Sequence, residues 1–280
     1  MRNTVLITGG TGKTGRRIVQ RLEARGFPVK AASRTANAPN RVRFDWYDAT
    51  SFTAALENVR SVYLIAPADT TESLDAMRPF LEQAIASGVE RFVLLSSSSI
   101  EQGGPLMGQV HEWLAQQFVS YTVLRPSWFM QNFSESQHLM GICHADMIRS
   151  ATGNGKVGFI DSEDIAAVAV EALTDPTFSH TELILTGPAA ISYDEVAYII
   201  SDAVGRPISH KRLDAHKLSE MFREMGVAAD FADVLVQLDI AISKGVENRT
   251  TDNVHTVTGR AAGSFGAFAQ REAVVWKVES

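Results

Sequence analysis

A glycine-rich segment near the start of the chain has the residue types and spacing that bind a diphosphate. Gly10, Gly12 and Gly15 fit the pattern G-x-G-x-x-G between an apolar run and a helix-period segment. A diphosphate needs backbone amides at the amino end of a helix, and a Cβ at Gly12 would hold the backbone away from it, while Gly15 lets the helix lie against the strand. This context favours a dinucleotide site over a structural glycine turn. The predicted phosphate loop comprises Gly10, Thr11, Gly12, Lys13, Thr14 and Gly15.

The segment Gly12-Lys13-Thr14 also resembles the end of the loop that binds nucleoside triphosphates. That loop requires a glycine five residues before its Gly-Lys pair, and Ile7 stands at that position. We therefore reject an ATPase or kinase of the P-loop type.

The residues that end the second predicted strand bear on which dinucleotide is bound. NAD-selective folds place an acidic residue about 20 residues past the glycines, where it binds the ribose 2′-hydroxyl. Here the strand ends at Ser33 and Arg34, and the planar guanidinium of Arg34 matches a 2′-phosphate instead. Lys13 adds a second positive charge. The sequence favours NADP(H), with a solvated turn arginine as the alternative.

Two further pairs of residues end the third and fourth predicted strands. Asp45 and Trp46 stand where such folds place a carboxylate near the adenine amino group, and Ala66 and Pro67 stand where the chain passes the ribose and nicotinamide. Both pairs are candidate cofactor-binding residues. Each pair is explained equally well as a turn former.

Candidate substrate residues follow the fifth and sixth predicted strands. Of the serines 96–99 we choose Ser97 as the one that faces the nicotinamide or substrate. Trp128, Phe129 and Phe133 follow the sixth strand, and aromatic faces hold an organic cation with ~0.5–2 kcal/mol per contact. The alternative for these rings is that they fill core.

Secondary-structure elements must position these residues. From Thr4 to Arg125, short apolar runs alternate with segments that have the hydrophobic periodicity of a helix. This alternation predicts a parallel sheet buried on both faces by helices. The predicted strands are Val5–Thr8, Val29–Ser33, Val42–Trp46, Val62–Ala66, Phe92–Ser96 and Thr122–Leu124. The predicted helices are Lys13–Ala24, Ser51–Leu56, Ser73–Ser87 and Met107–Phe118.

The second half of the chain has a looser pattern. Its predicted elements are a strand at Val157–Ile160, a helix at Glu163–Leu173, a strand at Leu183–Leu185, a helix at Tyr193–Val204 and helices within Ala215–Lys244. The fold class is α/β, a Rossmann-type doubly wound parallel sheet over residues 1–126. We interpret residues 127–280 as a smaller, mostly helical substrate-binding lobe with elements that return to the sheet.

Composition limits the classes of partner that the protein is expected to bind. The chain has 280 residues, 45% of them hydrophobic, and a formal net charge of −6, which argues against nucleic-acid binding. A single cysteine, Cys143, cannot form an internal disulfide, and no run approaches the ~18 apolar residues of a membrane span. The chain starts directly in a predicted strand, so we expect a cytoplasmic protein. We also expect a small-molecule substrate. The oligomeric state stays open.

Several segments together resemble the NmrA-like atypical short-chain dehydrogenases. They are TGGTGKTG, FDW, VYLIAP, RFVLLSSSS, VHEWL and YTVLRPSWFMQNF, and weaker motifs extend the resemblance over nearly the whole chain. Within that family the sequence is most similar to the ergot-alkaloid branch, which includes festuclavine and agroclavine dehydrogenases. The resemblance implies a Rossmann domain, NADP(H) use, and either a reductase of small molecules or a non-catalytic NADP(H) sensor.

The proton donor of ordinary short-chain dehydrogenases is missing. Those enzymes use Tyr-x-x-x-Lys to protonate a developing alkoxide, and none of the five tyrosines here has lysine four residues on. Hydride addition to an iminium carbon gives a neutral amine and leaves no oxyanion, so loss of the donor matters little. We therefore predict an NADPH-dependent reductase of a C=N or conjugated C=C bond. The alternatives are the NADP(H) sensor and an NADPH quinone reductase.

His111 is the best remaining candidate for proton transfer or substrate contact, because it lies on the helix that normally carries the tyrosine–lysine pair. A lone helical histidine is more often a surface or satisfied core residue. His111-Glu112 begins like a zinc-protease helix, but Ala115 replaces the second histidine, and we expect no metal site.

Overall fold

The computed structural model describes residues 3–35 and 38–277. The chain forms two compact units, each assembled from separate segments. Unit 1 contains the described residues of Met1–Pro126, Ser162–Leu185 and Asn253–Arg260, and unit 2 those of Ser127–Asp161, Thr186–Asp252 and Ala261–Ser280.

The main feature of unit 1 is a seven-stranded parallel sheet. In chain order, the strands of the two units are β1 (Thr4–Ile7), β2 (Val29–Ser33), β3 (Arg41–Arg43), β4 (Val59–Leu64), β5 (Arg91–Leu95), β6 (Ser120–Pro126), β7 (Met147–Ser150), β8 (Lys156–Val157), β9 (Thr181–Leu185), β10 (Ile191–Ser192) and β11 (Ser209–Arg212). The order across the sheet is β3-β2-β1-β4-β5-β6-β9. This confirms the predicted Rossmann-type fold, whose strand order reverses between β1 and β4, where such sheets bind ligands.

Helices cover this sheet and build much of unit 2. They are α1 (Lys13–Ala24), α2 (Phe52–Leu56), α3 (Ser73–Ala86), α4 (Met107–Ala115), α5 (Leu139–Ala145), α6 (Ser162–Thr174), α7 (Tyr193–Val204), α8 (Ala215–Glu224), α9 (Ala229–Ser243), α10 (Asn253–Thr258) and α11 (Phe265–Glu272). Among the helices of the described residues, none combines the length and apolar character needed to cross a bilayer.

Helix α6 belongs to unit 1 although it follows a long stretch of unit 2. It packs beside α1, and nearly all of its residues are buried. At its first turn Glu163 accepts hydrogen bonds from Arg17 (2.8 Å) and Arg21 (2.7 Å) of α1. The burial of α6 explains its continuous apolar sequence, and the ion pairs fix its register on the phosphate-loop helix.

Three predicted elements end three residues earlier than expected. Strand β3 stops at Arg43 because the chain then turns, with Asp45 Oδ1 accepting a hydrogen bond from the Tyr47 amide (3.0 Å). Helix α4 stops at Ala115, where the following amides bond to carbonyls three residues back and tighten the last turn. In the third case, the predicted strand at Val157–Ile160, only Lys156–Val157 is a strand, paired with β10.

Unit 2 has its own core of aromatic rings. The ring of Phe133 stacks on His138 at 4.8 Å and meets Phe159 and Phe265 edge-on, each at 5.4 Å. The indole of Trp276 donates a hydrogen bond to the Phe133 carbonyl (2.8 Å). A hydrophobic cluster of this size lets the residues after β6 form a second packed body.

Two short parallel strands of unit 2, β7 and β11, were not predicted. Each has four residues, and their sequences MIRS and SHKR are too polar and too short to show a strand period. Besides the backbone pairing of the two strands, His210 of β11 bonds through Nε2 to Ser150 of β7 (2.8 Å). Its Nδ1 bonds to Asp194 of α7 (3.1 Å).

Asp239 on α9 gives unit 2 a specific pH dependence. Burial raises the pKa of its carboxyl from 3.8 to about 6, although it accepts a hydrogen bond from the Ala151 amide (2.8 Å). The folded group keeps its proton to a higher pH than the unfolded one, so stability is lost as the pH rises from about 4 through about 6. We expect Asp239→Asn to raise the free energy of unfolding by about 2 kcal/mol at about pH 8 and to leave it unchanged near pH 4.

Urea unfolding at the two pH values measures this difference. The control is Asp202→Asn, the same substitution at an exposed position of α7. An Asp239→Asn protein less stable than the parent at about pH 8 would contradict the expectation.

Candidate cofactor site

The predicted phosphate loop connects β1 to α1 and is anchored to the carboxyl end of β4. The Thr8 hydroxyl, fully buried, donates to the Tyr63 carbonyl (2.9 Å) and accepts from the Ile65 amide (2.8 Å). Gly9 then turns the chain with φ of +60°, a conformation that favours glycine. These contacts place the loop at the edge where the strand order reverses.

Close backbone contacts explain two of the glycines. A Cβ on Gly15 would lie 2.2 Å from the Gly9 carbonyl oxygen, and one on Gly10 would lie 2.8 Å from Cα of Ala31 on β2. We expected Gly15 to permit contact between helix and strand, but the strand contact is made by Gly10, whereas Gly15 lets the loop fold back on its own helix. The loop is therefore built at backbone contact distance.

The amino end of α1 fits a phosphate group. Its N-cap is Gly12, which has no side chain to bond to the first-turn amides, and its first turn carries no acidic residue. First-turn amides lack partners within the helix and carry the positive end of its dipole. Gly12 and Thr11 are exposed, so an anion can reach these amides.

The hydroxyl of Thr14 is used by the core of unit 1. Tyr63 donates to it across 3.2 Å, and burial raises the pKa of the Tyr63 phenol far above its usual range, so that this donor keeps its proton. Thr14 itself is buried. What Thr14 offers to a ligand is its backbone amide.

The end of β2 carries Arg34, the residue predicted to meet a ribose 2′-phosphate. Strand β2 ends at Ser33, whose hydroxyl donates to the Thr35 carbonyl, and Arg34 follows on the surface. In the part of the chain that the structure describes, Arg34 takes part in no ion pair or hydrogen bond. Its guanidinium is thus available to a dianionic phosphate.

The other predicted cofactor residues lie at the ends of neighbouring strands. Asp45 forms the turn described above, which leaves its second carboxylate oxygen without a hydrogen-bond partner among the described residues. Trp46 packs edge-on against Phe44, with ring centroids 4.8 Å apart. Ala66 and Pro67 follow β4 and are half-buried. Their contacts with a cofactor stay predictions.

Ser97 follows β5 in a loop held by an arginine. Its hydroxyl lies 3.1 Å from that of Ser99, and its carbonyl accepts a hydrogen bond from Arg125 Nε (3.4 Å). Arg125 also donates to the Ser98 carbonyl (3.0 Å) and to Glu182 Oε2 of β9 (2.9 Å). The loop after β5 is therefore fixed by a side chain of β6.

Arg125, which holds the loop that contains Ser97, was not predicted from the sequence. It is only 6% exposed, although its sequence context, YTVLRP, is that of a buried strand. A charged residue within such a run signals a buried, paired group, because an unpaired buried charge is costly. That signal was present, but nothing local identified its partners on the next strands.

His111 lies inside unit 1 on α4. It is 4% exposed, its Nδ1 is 4.0 Å from Glu182 Oε2, and its ring meets that of Tyr121 at 5.8 Å. Burial lowers the pKa of His111, and Glu182 opposes that shift, so the ring is neutral at neutral pH. These contacts give His111 a packing role in unit 1. A catalytic role stays a prediction.

The three aromatic candidates lie in unit 2. Trp128 and Phe129 are half-buried, and the backbone of Phe129 bridges to Ile160. Phe133 is fully buried at the centre of the ring cluster described above. The structure therefore gives Phe133 a core-filling role, and substrate contacts of the three rings stay predictions.

The chain is similar to known oxidoreductases along nearly its whole length. The family described as NAD(P)H-binding matches residues 9–176. The uncharacterized oxidoreductase YesF of Bacillus subtilis is 44% identical over 98% of this chain and 96% of its own length. The agroclavine dehydrogenase of Claviceps fusiformis is 39% identical over 98% of both chains, and the festuclavine dehydrogenase of Aspergillus fumigatus is 37% identical over 98% of this chain and 99% of its own.

Solved structures show the same fold at lower identity. The NADPH-dependent quinone oxidoreductase of Escherichia coli, complexed with NADPH, has a TM-score of 0.80 at 20% identity over 95% of this chain and 99% of its own. The triphenylmethane reductase of Citrobacter, complexed with NADP(H), has a TM-score of 0.79 at 21% identity over 96% of this chain and 99% of its own.

Proposed function

The chain belongs to the NAD(P)H-binding family and, within it, to the ergot-alkaloid branch of NmrA-like atypical short-chain dehydrogenases, and from this membership we propose an NADPH-dependent reductase of C=N or conjugated C=C bonds. Its substrate is a small organic molecule, foremost a cyclic iminium ion. The observation that carries this proposal is the likeness to clavine dehydrogenases along nearly the whole chain, together with the missing Tyr-x-x-x-Lys pair.

The chain's own residues fit the dinucleotide at three positions. The first-turn amides of α1 bind the diphosphate, because the Gly12 cap leaves them open. Arg34 pairs with the 2′-phosphate, which gives the preference for NADPH over NADH. The free oxygen of Asp45 accepts from the adenine amino group.

The reaction needs little acid catalysis from the protein. When bound, NADPH supplies a hydride that forms a C–H bond at the iminium carbon, while the C=N π electrons become the nitrogen lone pair. The product is a neutral amine, so no developing oxyanion has to be protonated. A neutral, buried His111 and the absence of a tyrosine–lysine pair are compatible with this chemistry.

Two hydride acceptors of matched shape, an iminium ion and a ketone, test the proposal. We expect stopped-flow absorbance to show NADPH oxidation with N-methyl-3,4-dihydroisoquinolinium and none with 1-tetralone, which has the same bicyclic frame but a ketone. The rate of the hydride step should be level from about pH 6 to about pH 9, because no protein acid takes part.

The opposite pattern, fast reduction of 1-tetralone and none of the iminium ion, would overturn the proposal. A rate that falls as a histidine loses its proton would assign proton transfer to a residue such as His111. Silence towards iminium ions, enals and quinones, combined with NADP(H)-dependent binding of a protein partner, would favour the sensor.

A further inference from the structure

A cavity of about 430 Å³, open to solvent, lies in unit 2 and is lined by parts of α5, β7 and α8. Four of the chain's eight methionines line it: Met140 on α5, Met147 on β7, Met221 on α8, and Met225 at the end of α8. Its volume is in the range of small-molecule sites. No residue predicted to bind the cofactor or substrate lines it.

The methionines make the wall apolar and adaptable. Met140 is 61% exposed and Met225 is 54% exposed, so the apolar wall of the cavity is in contact with water. Unbranched thioether side chains re-pack around irregular apolar ligands and make favourable contacts with aromatic rings. A flat aromatic body is therefore the kind of group that this wall accommodates.

Arg149 supplies the positive charge of the cavity. It shares a face of β7 with Met147, while the intervening Ile148 and the following Ser150 point to the opposite, buried face. Arg149 is half-buried, and across the described parts of the chain its guanidinium makes no ion pair or hydrogen bond. A partly desolvated guanidinium without a partner favours an anionic ligand.

The other polar residues do not cancel this charge. Glu224 also lines the cavity but is exposed, and a solvated carboxylate interacts weakly with a ligand. His138 is neutral, because burial lowers its pKa to about 3, and its Nε2 has no hydrogen-bond partner among the described residues. Arg149 thus decides which charge the cavity prefers.

We propose that this cavity of unit 2 binds a small aromatic carboxylate, with its ring among the four methionines and its carboxylate on the Arg149 guanidinium. The site is separate in sequence and chemistry from the dinucleotide loop of unit 1. Binding at this site does not depend on the proposed reductase activity.

The test uses the full chain saturated with NADP⁺, so that the dinucleotide site is occupied. The probe is 2-naphthoate, and its neutral counterpart of the same shape is 2-naphthamide. We expect isothermal titration calorimetry to show one bound naphthoate per chain. Arg149→Gln should weaken naphthoate binding at least about tenfold and change naphthamide binding less than about twofold.

A second variant tests the methionine wall without relying on Arg149. Met225→Glu places a carboxylate at an exposed position of the wall and should weaken naphthoate binding about tenfold, whereas Met225→Leu should preserve it. Arg78→Gln on the surface of α3 in unit 1 controls for loss of net charge and should have no effect.

Two outcomes would overturn the proposal. One is the absence of saturable naphthoate binding up to about 1 mM. The other is equal naphthoate affinity in the parent, Arg149→Gln and Met225→Glu proteins, with each variant shown by circular dichroism and thermal melting to be folded.

Discussion

Gly15→Ala is expected to abolish NADPH binding at concentrations that saturate the parent protein. The new Cβ would lie 2.2 Å from the Gly9 carbonyl oxygen and 2.9 Å from Cα of Gly10, so the loop backbone has to move. Both neighbours are backbone atoms, which cannot rotate aside. We expect a loss of at least about 3 kcal/mol, or about hundredfold in the dissociation constant.

Fluorescence titration of NADPH measures this loss, and two further glycine variants calibrate it. Gly12→Ala places a Cβ 3.2 Å from the same carbonyl, so the loop has to shift by only a few tenths of an ångström, and we expect a loss of about tenfold. Gly266→Ala, in helix α11 of unit 2, meets nothing closer than 3.9 Å and should bind NADPH like the parent.

A Gly15→Ala protein that is folded and binds NADPH as tightly as the parent would contradict the assignment of the loop. Equal losses of NADPH affinity in all three glycine variants would contradict it as well, since the size of the expected loss follows the three contact distances.

Arg34→Asp is expected to reverse the preference between the two reduced dinucleotides. A hydrogen bond to a charged group is worth about 1.5–3 kcal/mol, and the new carboxylate adds repulsion of about 1 kcal/mol against the 2′-phosphate. NADPH should bind roughly a few hundredfold more weakly. NADH should bind as well as before or better, because aspartate accepts from the 2′-hydroxyl.

Dissociation constants for NADPH and NADH, measured at one fixed ionic strength, separate these effects. The matched control is Arg41→Asp, which makes the same charge change at the opposite, amino end of the neighbouring strand β3. Two results would contradict the role of Arg34 at the 2′-phosphate. One is an equal loss of affinity for NADPH and NADH in Arg34→Asp. The other is the same loss of NADPH affinity in Arg41→Asp.

Local patterns were sufficient to predict the strands and helices around the phosphate loop. The bounds of α1 and β2 match the prediction residue for residue, because α1 has a strong helical period and Gly26 and Pro28 mark the break between the two elements. The short strands β7 and β11 were missed, since pairing between segments about 60 residues apart leaves no period in either. Helix α4 was predicted too long because its last turn tightens without a glycine or proline.

For the candidate site, the sequence predicted which residues lie at the strand ends but not which side chains they contact. The sequence predicted the glycines and Arg34 as cofactor residues, and the structure places the loop glycines close to backbone atoms and Arg34 on the surface. The sequence did not identify the partners of Arg125, whose hydrogen bonds reach β9 and the loop after β5. Nor did it show that Phe133 lies inside a ring cluster.

By itself, the sequence determined the Rossmann-type sheet, the glycine loop, the carboxylate-free end of β2 and the missing tyrosine–lysine pair. These features depend on residues close together in the chain, where spacing alone sets geometry. Only the tertiary structure decided that Gly10 rather than Gly15 touches β2, that α6 packs on α1, and that four methionines and Arg149 line one cavity. Each of these depends on contacts between distant segments, for which neither segment carries a local signal.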